Sequence, residues 1–241
     1  MMTYAMLSRQ GKRENNEDSV RMKEKKEASV FLLADGLGGH GAGEIASDKT
    51  TSYGIHLFES VDSYERYLKD LFENGQKRLL NMQREQHALE QMKTTLVTLL
   101  IDGRDAEWGH IGDSRLYFFV GGHIRQRTLD HSVPQMLVKS GEISENDIRT
   151  HPDRNRLLRV MGSEWNRNSY ELSRRITLTK DVSFLLCSDG FWEYIVEEWM
   201  ENTLQNAKSV AHWLNMMERI VVENGRGRYM DNFSAIGVWI R

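Results

Sequence analysis

Aspartates close several of the apolar runs in this chain, and most are followed by glycine or a small polar residue. Phe31-Leu32-Leu33-Ala34 leads into Asp35-Gly36, Trp108-Gly109-His110-Ile111 into Gly112-Asp113-Ser114, and Phe184-Leu185-Leu186-Cys187-Ser188 into Asp189-Gly190. Asp231-Asn232 stands at the entry of the last apolar run. Asp-Gly by itself is turn chemistry, and Asp102-Gly103, lying between two strand-like runs, needs no other explanation. Asp35 and Asp189 sit in a different context. The first opens a glycine-rich loop that runs into a helical pattern, and the second is followed by Phe191-Trp192-Glu193 and not by a partner strand. Several carboxylates at neighbouring strand ends repel one another unless a cation sits among them. An all-oxygen donor set favours Mg²⁺ or Mn²⁺ over zinc, and a pair of such ions serves phosphoryl chemistry.

Gly36-Leu37-Gly38-Gly39-His40-Gly41 satisfies G-x-G-x-x-G between a strand and a helix, the dinucleotide fingerprint. That fold also demands a crossover to a parallel strand. The strands that follow here are joined by tight turns, which disfavours a dinucleotide-binding enzyme, and no Gly-Lys-Ser/Thr follows to make a Walker loop. A glycine loop needed only for close backbone approach stays open. Arg13-Glu14-Asn15-Asn16-Glu17-Asp18-Ser19 sets one cation among anions and amides and, standing alone, reads equally as a solvated loop. Cys187, the single cysteine, reads as a buried small hydrophobe and not a nucleophile. His110 and His123 fall on strands and His131 organises a loop, while Trp192, Trp199 and Trp213 read as core.

Periodicity supplies the elements that must hold these groups. Residues 3–8, 18–22 and 28–34 read as strands, the third buried and ended by Asp35-Gly36. Helical spacing picks out Ile45, Ala46, Lys49, Tyr53, His56 and Leu57. A second helix covers about 63–91, with Leu68, Leu71, Phe72, Leu79 and Met82 as its stripe. Residues 94–101 and 106–111 form a hairpin about Asp102-Gly103, and 115–120 and 123–128 another about Gly121-Gly122. Residues 132–165 hold both prolines, Pro134 and Pro152, and give a helix followed by an irregular excursion. Strands return at 169–176 and 183–187. A helix over about 207–223 turns Val210, Trp213, Leu214, Met217, Ile220 and Val221 inward, and 233–240 is a closing strand. Short connections make the strands antiparallel, so the pattern predicts a layered α+β fold with helices covering stacked antiparallel sheets.

The 241 residues show no repeat, linker or composition break, and are expected to form one domain. Thirty-two Lys and Arg against 35 Asp and Glu leave a net charge of -3, which argues against a polybasic nucleic-acid binder. A single cysteine excludes an internal disulfide framework and a cysteine-rich zinc site. No apolar run approaches the roughly 18 residues needed to span a bilayer, and a cytoplasmic, monomeric protein is expected.

Seven stretches resemble the metal-dependent protein phosphatase family (PPM, protein phosphatase 2C-like) in its compact bacterial form, in the family's order and across the chain. They are Arg13 to Ser19, Asp35-Gly36-Leu37-Gly38-Gly39-His40, Lys93-Thr94-Thr95, Gly112-Asp113-Ser114-Arg115, Asp130-His131-Ser132, Ser188-Asp189-Gly190 and Asp231-Asn232. The resemblance implies a four-layer α-β-β-α sandwich with a metal site at one end of the sheets. It implies hydrolysis of phosphoserine and phosphothreonine on proteins by a water activated between two Mn²⁺ or Mg²⁺ ions, opposing a bacterial serine/threonine kinase. Carried over by position, Asp35 would bridge the ions and the Gly36 carbonyl would hold the second. Asp189 and Asp231 would complete the first ion's shell, Glu17 and Asp18 would contribute directly or through waters, and Arg13 would grip the phosphate. Asp113 with Asp189 would form a weaker third site. Residues about 135–165, His151 included, resemble the family's flap. One position departs: eukaryotic relatives place a proposed general-acid histidine where Leu37 stands, and His40 lies three residues on. The competing reading is a catalytically silent regulatory module of the same fold, against which the survival of every metal aspartate and of Arg13 speaks.

Overall fold

The structure, a computed structural model, describes residues 1–38, 42–86, 91–165 and 169–241. The chain opens with β1 (Met2–Arg9), β2 (Asp18–Lys25), β3 (Ala28–Leu37), α1 (Ala42–Ser60) and α2 (Tyr67–Glu85). It continues through β4 (Lys93–Thr94), β5 (Leu96–Asp102), β6 (Asp105–Ile111), β7 (Arg115–Val120), β8 (His123–Arg127), α3 (Val133–Ser140) and a 3₁₀ turn (Glu145–Thr150). β9 (Glu171–Leu172), β10 (Ile176–Thr177), β11 (Val182–Cys187), α4 (Asp189–Trp192), α5 (Glu197–Asn206), α6 (Val210–Asn224) and β12 (Phe233–Ile240) complete it.

The strands build two sheets, ordered β1-β12-β11-β7-β8 and β10-β6-β5-β3-β2, with β4 against β3 and β9 against β6. Every strand pairing is antiparallel, so the dinucleotide-binding reading falls. β3 shows why the sheets stack. Its side chains alternate faces: Phe31 and Leu33 join Val97, Leu99, Trp108, Phe184, Leu186 and Val238 between the sheets. Val30, Leu32 and Ala34 instead pack under α1 and α2 with Leu68, Leu71 and Phe72. On the far side Tyr117, Phe119, Leu185, Cys187 and Trp239 meet Trp192, Trp213, Leu214 and Met217 from the C-terminal helices. The layers therefore run α-β-β-α. Both hairpins form at the expected glycines. Gly121 and Gly122 carry φ of 58° and 81°, the two positive values that a type I′ turn needs.

Several local expectations shift. β3 continues through Asp35-Gly36 to Leu37 because Gly36 and Leu37 pair with Thr94 and Lys93. The buried stripe of α1 is Ala46, Ser47, Thr50, Thr51, Gly54 and Phe58, not the Ile45–Lys49–Tyr53 face. Small residues let the helix lie close on the sheet, and a Cβ on Gly54 would come 2.9 Å from Leu32 Cδ2. α2 is shorter than expected at both ends. The strand expected at 169–176 is two separate pairs on the edge of β6. α5, which weak periodicity hid, turns Met200, Thr203 and Leu204 inward and leaves Trp199 51% exposed, so Trp199 is not core.

Candidate active site

Antiparallel order puts the relevant strand ends on one edge. Asp18 at the start of β2 is in register with Asp35 near the end of β3. Cys187 at the end of β11 pairs with Arg115 at the start of β7 and with Ala235 in β12. Asp189 therefore emerges beside Asp231 and beside the Gly112-Asp113-Ser114 link, where β6 of one sheet passes into β7 of the other. Arg13 lies in the loop between β1 and β2. Arg13, Glu17, Asp35, Gly36, Leu37, Asp113, Asp189 and Asp231 line one cleft of about 380 Å³, with Gly38, Asn155, Leu157 and Asn232. Asp18 completes the carboxylate group just behind it: its Oδ2 accepts a 2.9 Å hydrogen bond from Ser188 Oγ. His40 lies outside the described residues.

The two glycines that follow Asp35 and Asp189 do not make turns. A Cβ on Gly36 would meet the Gly43 carbonyl oxygen of α1 at 2.2 Å, and one on Gly190 would meet the Asn232 carbonyl oxygen at 2.1 Å. Gly103 behaves as the turn glycine, with φ of 58° and its nearest neighbour 3.9 Å away. The same dipeptide thus serves close approach at two places and chain reversal at the third.

Buried hydrogen bonds hold the carboxylates in place. The Asp35 N–H donates to Thr95 Oγ1 at 2.9 Å and its carbonyl accepts from Thr94 Oγ1 at 2.8 Å, which is the structural work of Lys93-Thr94-Thr95. Thr95 Oγ1 lies 2.7 Å from Ser114 Oγ. Asn232 fastens the Arg13 loop: its amide donates to the Gln10 and Asn15 carbonyls at 2.7 and 2.9 Å and its oxygen accepts from the Glu17 N–H at 2.8 Å. Asp113 is braced from beneath. Trp192 Nε1 donates to its carbonyl at 2.9 Å. The Arg115 guanidinium stacks 3.4 Å from the Trp192 ring centroid and grips Asp130 with bonds of 2.8 and 2.6 Å in full burial.

Among the residues that line the cleft, one guanidinium stands against five carboxylates. Burial, then the neighbouring aspartates, raise Asp35 and Asp113 well above the usual carboxylate range. Burial first also raises Asp18 to about 7 and Asp189 to about 6, and raises Glu17. Among the described residues, Asp18 Oδ1 and Asp189 Oδ1 are buried without a hydrogen-bond partner. Arg13 reaches one member of the group, with Nη2 2.5 Å from Asp231 Oδ2. Crowded carboxylates with unpartnered buried oxygens, offset by one guanidinium, fit hard divalent cations.

A second set of donors does not. His110, His131 and Glu171 bring their ligand atoms within 4.8 Å of one another. The Gly112 N–H points at His131 Nδ1 at 3.2 Å, so the proton of the neutral ring sits on Nε2, 3.3 Å from Glu171 Oε1. His110 Nε2 faces the Leu129 carbonyl at 2.8 Å and its ring stacks on His131. This is a hydrogen-bonded brace for the Gly112-Asp113 link, as expected of a loop-organising His131. Cys187 is buried with its thiol pKa raised by desolvation, no nucleophile.

Sequence reasoning missed Glu193, which sits behind Asp189 with its carboxyl raised to about 7 by burial and ties down Arg154 at 2.8 Å. It also missed the bracing roles of Ser188, Asn232 and the Arg115–Asp130 pair. Their only signal was membership of the motif stretches, three of which also carry Asp113, Asp189 and Asp231.

Residues 7–233 match the family model described as Protein phosphatase 2C. The chain is 31% identical over 207 residues to the serine/threonine phosphatase stp of Listeria welshimeri, covering 83% of this chain and 81% of that protein. It is 30% identical over 242 residues to the serine/threonine protein phosphatase PstP of Mycobacterium tuberculosis, covering 98% of this chain and 44% of that longer protein. The crystal structure of the M. tuberculosis phosphatase PstP/Ppp superposes with a TM-score of 0.87 at 30% identity, covering 100% of this chain and 99% of that one. The PstP catalytic domain in complex with two manganese ions superposes with a TM-score of 0.84 at 29% identity, covering 99% of this chain and 98% of that one.

Proposed function

The chain belongs to the protein phosphatase 2C family and is a metal-dependent serine/threonine protein phosphatase, and on that premise we propose how its residues divide the work. Asp35, the Gly36 carbonyl, Asp189 and Asp231 would hold a pair of Mn²⁺ or Mg²⁺ ions, with Glu17 and Asp18 shaping the shell. Asp113 with Asp189 offers a third, weaker position. When bound, the ions supply a water acidic enough to act as nucleophile at neutral pH and the charge that offsets the phosphoryl oxygens. Arg13 presents a forked guanidinium at the mouth, suited to two phosphate oxygens. Leu37 lines the cleft and carries no proton, so that position gives the departing serine or threonine oxygen no general acid. The reaction that must supply this substrate is phosphoryl transfer to a protein hydroxyl, so the enzyme opposes a serine/threonine kinase.

The observation that carries the assignment is the five carboxylates lining one cleft, with Asp18 beside them and one buried oxygen each of Asp18 and Asp189 without a hydrogen-bond partner among the described residues. The same observation weighs against a silent module, which has no reason to keep mutually repelling acids. Phosphate release from a phosphothreonine peptide with Mn²⁺, with and without chelator, tests it in wild type and Asp189→Ala. Titration calorimetry with Mn²⁺ alone runs alongside. Chelator-sensitive release by wild type and its loss in the variant are expected; metal-independent release would overturn the assignment.

A further inference from the structure

Charge around the cleft mouth departs from the chain's average. Residues 9–13, 153–159 and 224–230 together hold eight Lys and Arg against one acid, Asp153, in a chain whose totals are 32 and 35. Arg13 of the first stretch and Asn155 and Leu157 of the second line the cleft, and the third leads directly into Asp231, which lines it too. The Lys12 N–H donates to the Met230 carbonyl at 3.0 Å, binding the first stretch to the third. Arg154 is pinned to Glu193, behind Asp189. Lys12, Arg156, Arg226 and Arg228 are exposed. Arg228 lies 5.8 Å from the Tyr194 ring, and Arg226 pairs with the exposed Glu223 at 3.4 Å. Among the described residues Lys12 and Arg156 have no ion-pair partner.

A metal-loaded cleft attracts any phosphate monoester, so discrimination among phosphoproteins has to come from residues flanking the phosphorylated one. We propose that Lys12, Arg156, Arg226 and Arg228 form a basic rim that selects phosphoserine and phosphothreonine sites flanked by aspartate or glutamate. This rests on the phosphatase assignment and adds its substrate class. Exposed cations are poor anchors singly, since a surface ion pair is solvated, screened and costs side-chain freedom. Several converging on a short extended segment steer its approach and fix its orientation, and do so in a salt-dependent way.

Two phosphothreonine peptides differing only in flanking Asp/Glu or Lys test the proposal. The acid-flanked peptide should show kcat/KM larger by about tenfold at low salt, the advantage shrinking toward unity as the Debye length falls to roughly 3 Å near 1 M salt. The triple variant Arg156→Glu, Arg226→Glu, Arg228→Glu should lose about tenfold on the acid-flanked peptide, mostly through KM. Its Mn²⁺-dependent hydrolysis of p-nitrophenyl phosphate, which has no flanks, should hold. Lys180→Glu lies near the far end of β11 and serves as the control that changes neither. Equal turnover of the two peptides by wild type, or an equal loss on both in the triple variant, would overturn the rim. Absence of p-nitrophenyl phosphate hydrolysis by wild type counts against the phosphatase assignment instead. The rim is then read by fluorescence anisotropy of the labelled peptides on Mn²⁺-treated protein, where tighter binding of the acid-flanked one supports it and equal binding overturns it.

Discussion

Asp189→Asn should stabilise the metal-free protein while removing its activity. The folded carboxyl titrates at about 6 against an ordinary value of 3.8, because burial and then Asp231 disfavour its charge. Between those two pH values the folded state binds more protons than the unfolded chain, so stability falls as pH rises through the window and levels off above it. A difference of about 2 units at about 1.4 kcal/mol each puts the loss near 3 kcal/mol at pH 8, trimmed because the cleft is open to water. Asparagine carries no charge and escapes that loss. Urea unfolding in chelator should therefore show the variant more stable than wild type by about 2–3 kcal/mol at pH 8, with the gap closing toward pH 4. Adding Mn²⁺ should reverse the order, since binding to the folded state alone raises wild-type stability by mass action. A variant less stable than wild type by the same amount at both pH values, or wild-type stability flat across the window, would refute the idea that the cleft stores carboxylate repulsion for a cation to relieve.

Four further substitutions probe the same geometry. Arg13→Ala should raise KM for a phosphopeptide about 10- to 100-fold, the worth of a charged hydrogen bond, while Mn²⁺ affinity by calorimetry stays within a few-fold; an unchanged KM removes Arg13 from phosphate binding. Gly36→Ala should cost about 1–3 kcal/mol and weaken Mn²⁺ binding, because its Cβ has to displace the start of α1. Gly103→Ala should cost about 1 kcal/mol through its positive φ and leave kcat/KM intact, so denaturation and activity together separate the two kinds of Asp-Gly. Asp130→Asn leaves the fully buried Arg115 guanidinium with only the more distant Glu197, at 3.9 Å, as counter-charge and should cost about 3 kcal/mol by urea unfolding; a loss below about 1 kcal/mol would mean that Trp192, Tyr117 and Glu197 suffice to hold the arginine.

Strand positions, both glycine hairpins and the amphipathic stripe of α6 were written locally, since a period of two or 3.6 and a pair of glycines act within a few residues. The aspartates were visible for the same reason, as charges placed where apolar runs stop. Periodicity failed where burial was achieved with small or irregular side chains. α1 presses Ser47, Thr50 and Gly54 on the sheet, and α5 has too weak a stripe to announce itself, so Trp199 looked like core.

Whether Asp-Gly meant a turn or a close approach was undecidable from the dipeptide. The answer depended on the backbones of Gly43 and Asn232, the first seven residues along the chain and the second forty-two. Likewise, sequence showed an almost balanced charge, and only antiparallel pairing brought the strand ends together into one acidic cleft. The same packing set basic segments from three distant parts of the chain around its mouth. Local order is encoded in neighbours along the chain, but a cation site and its surrounding field are sums over distances in space, which the tertiary structure alone sets.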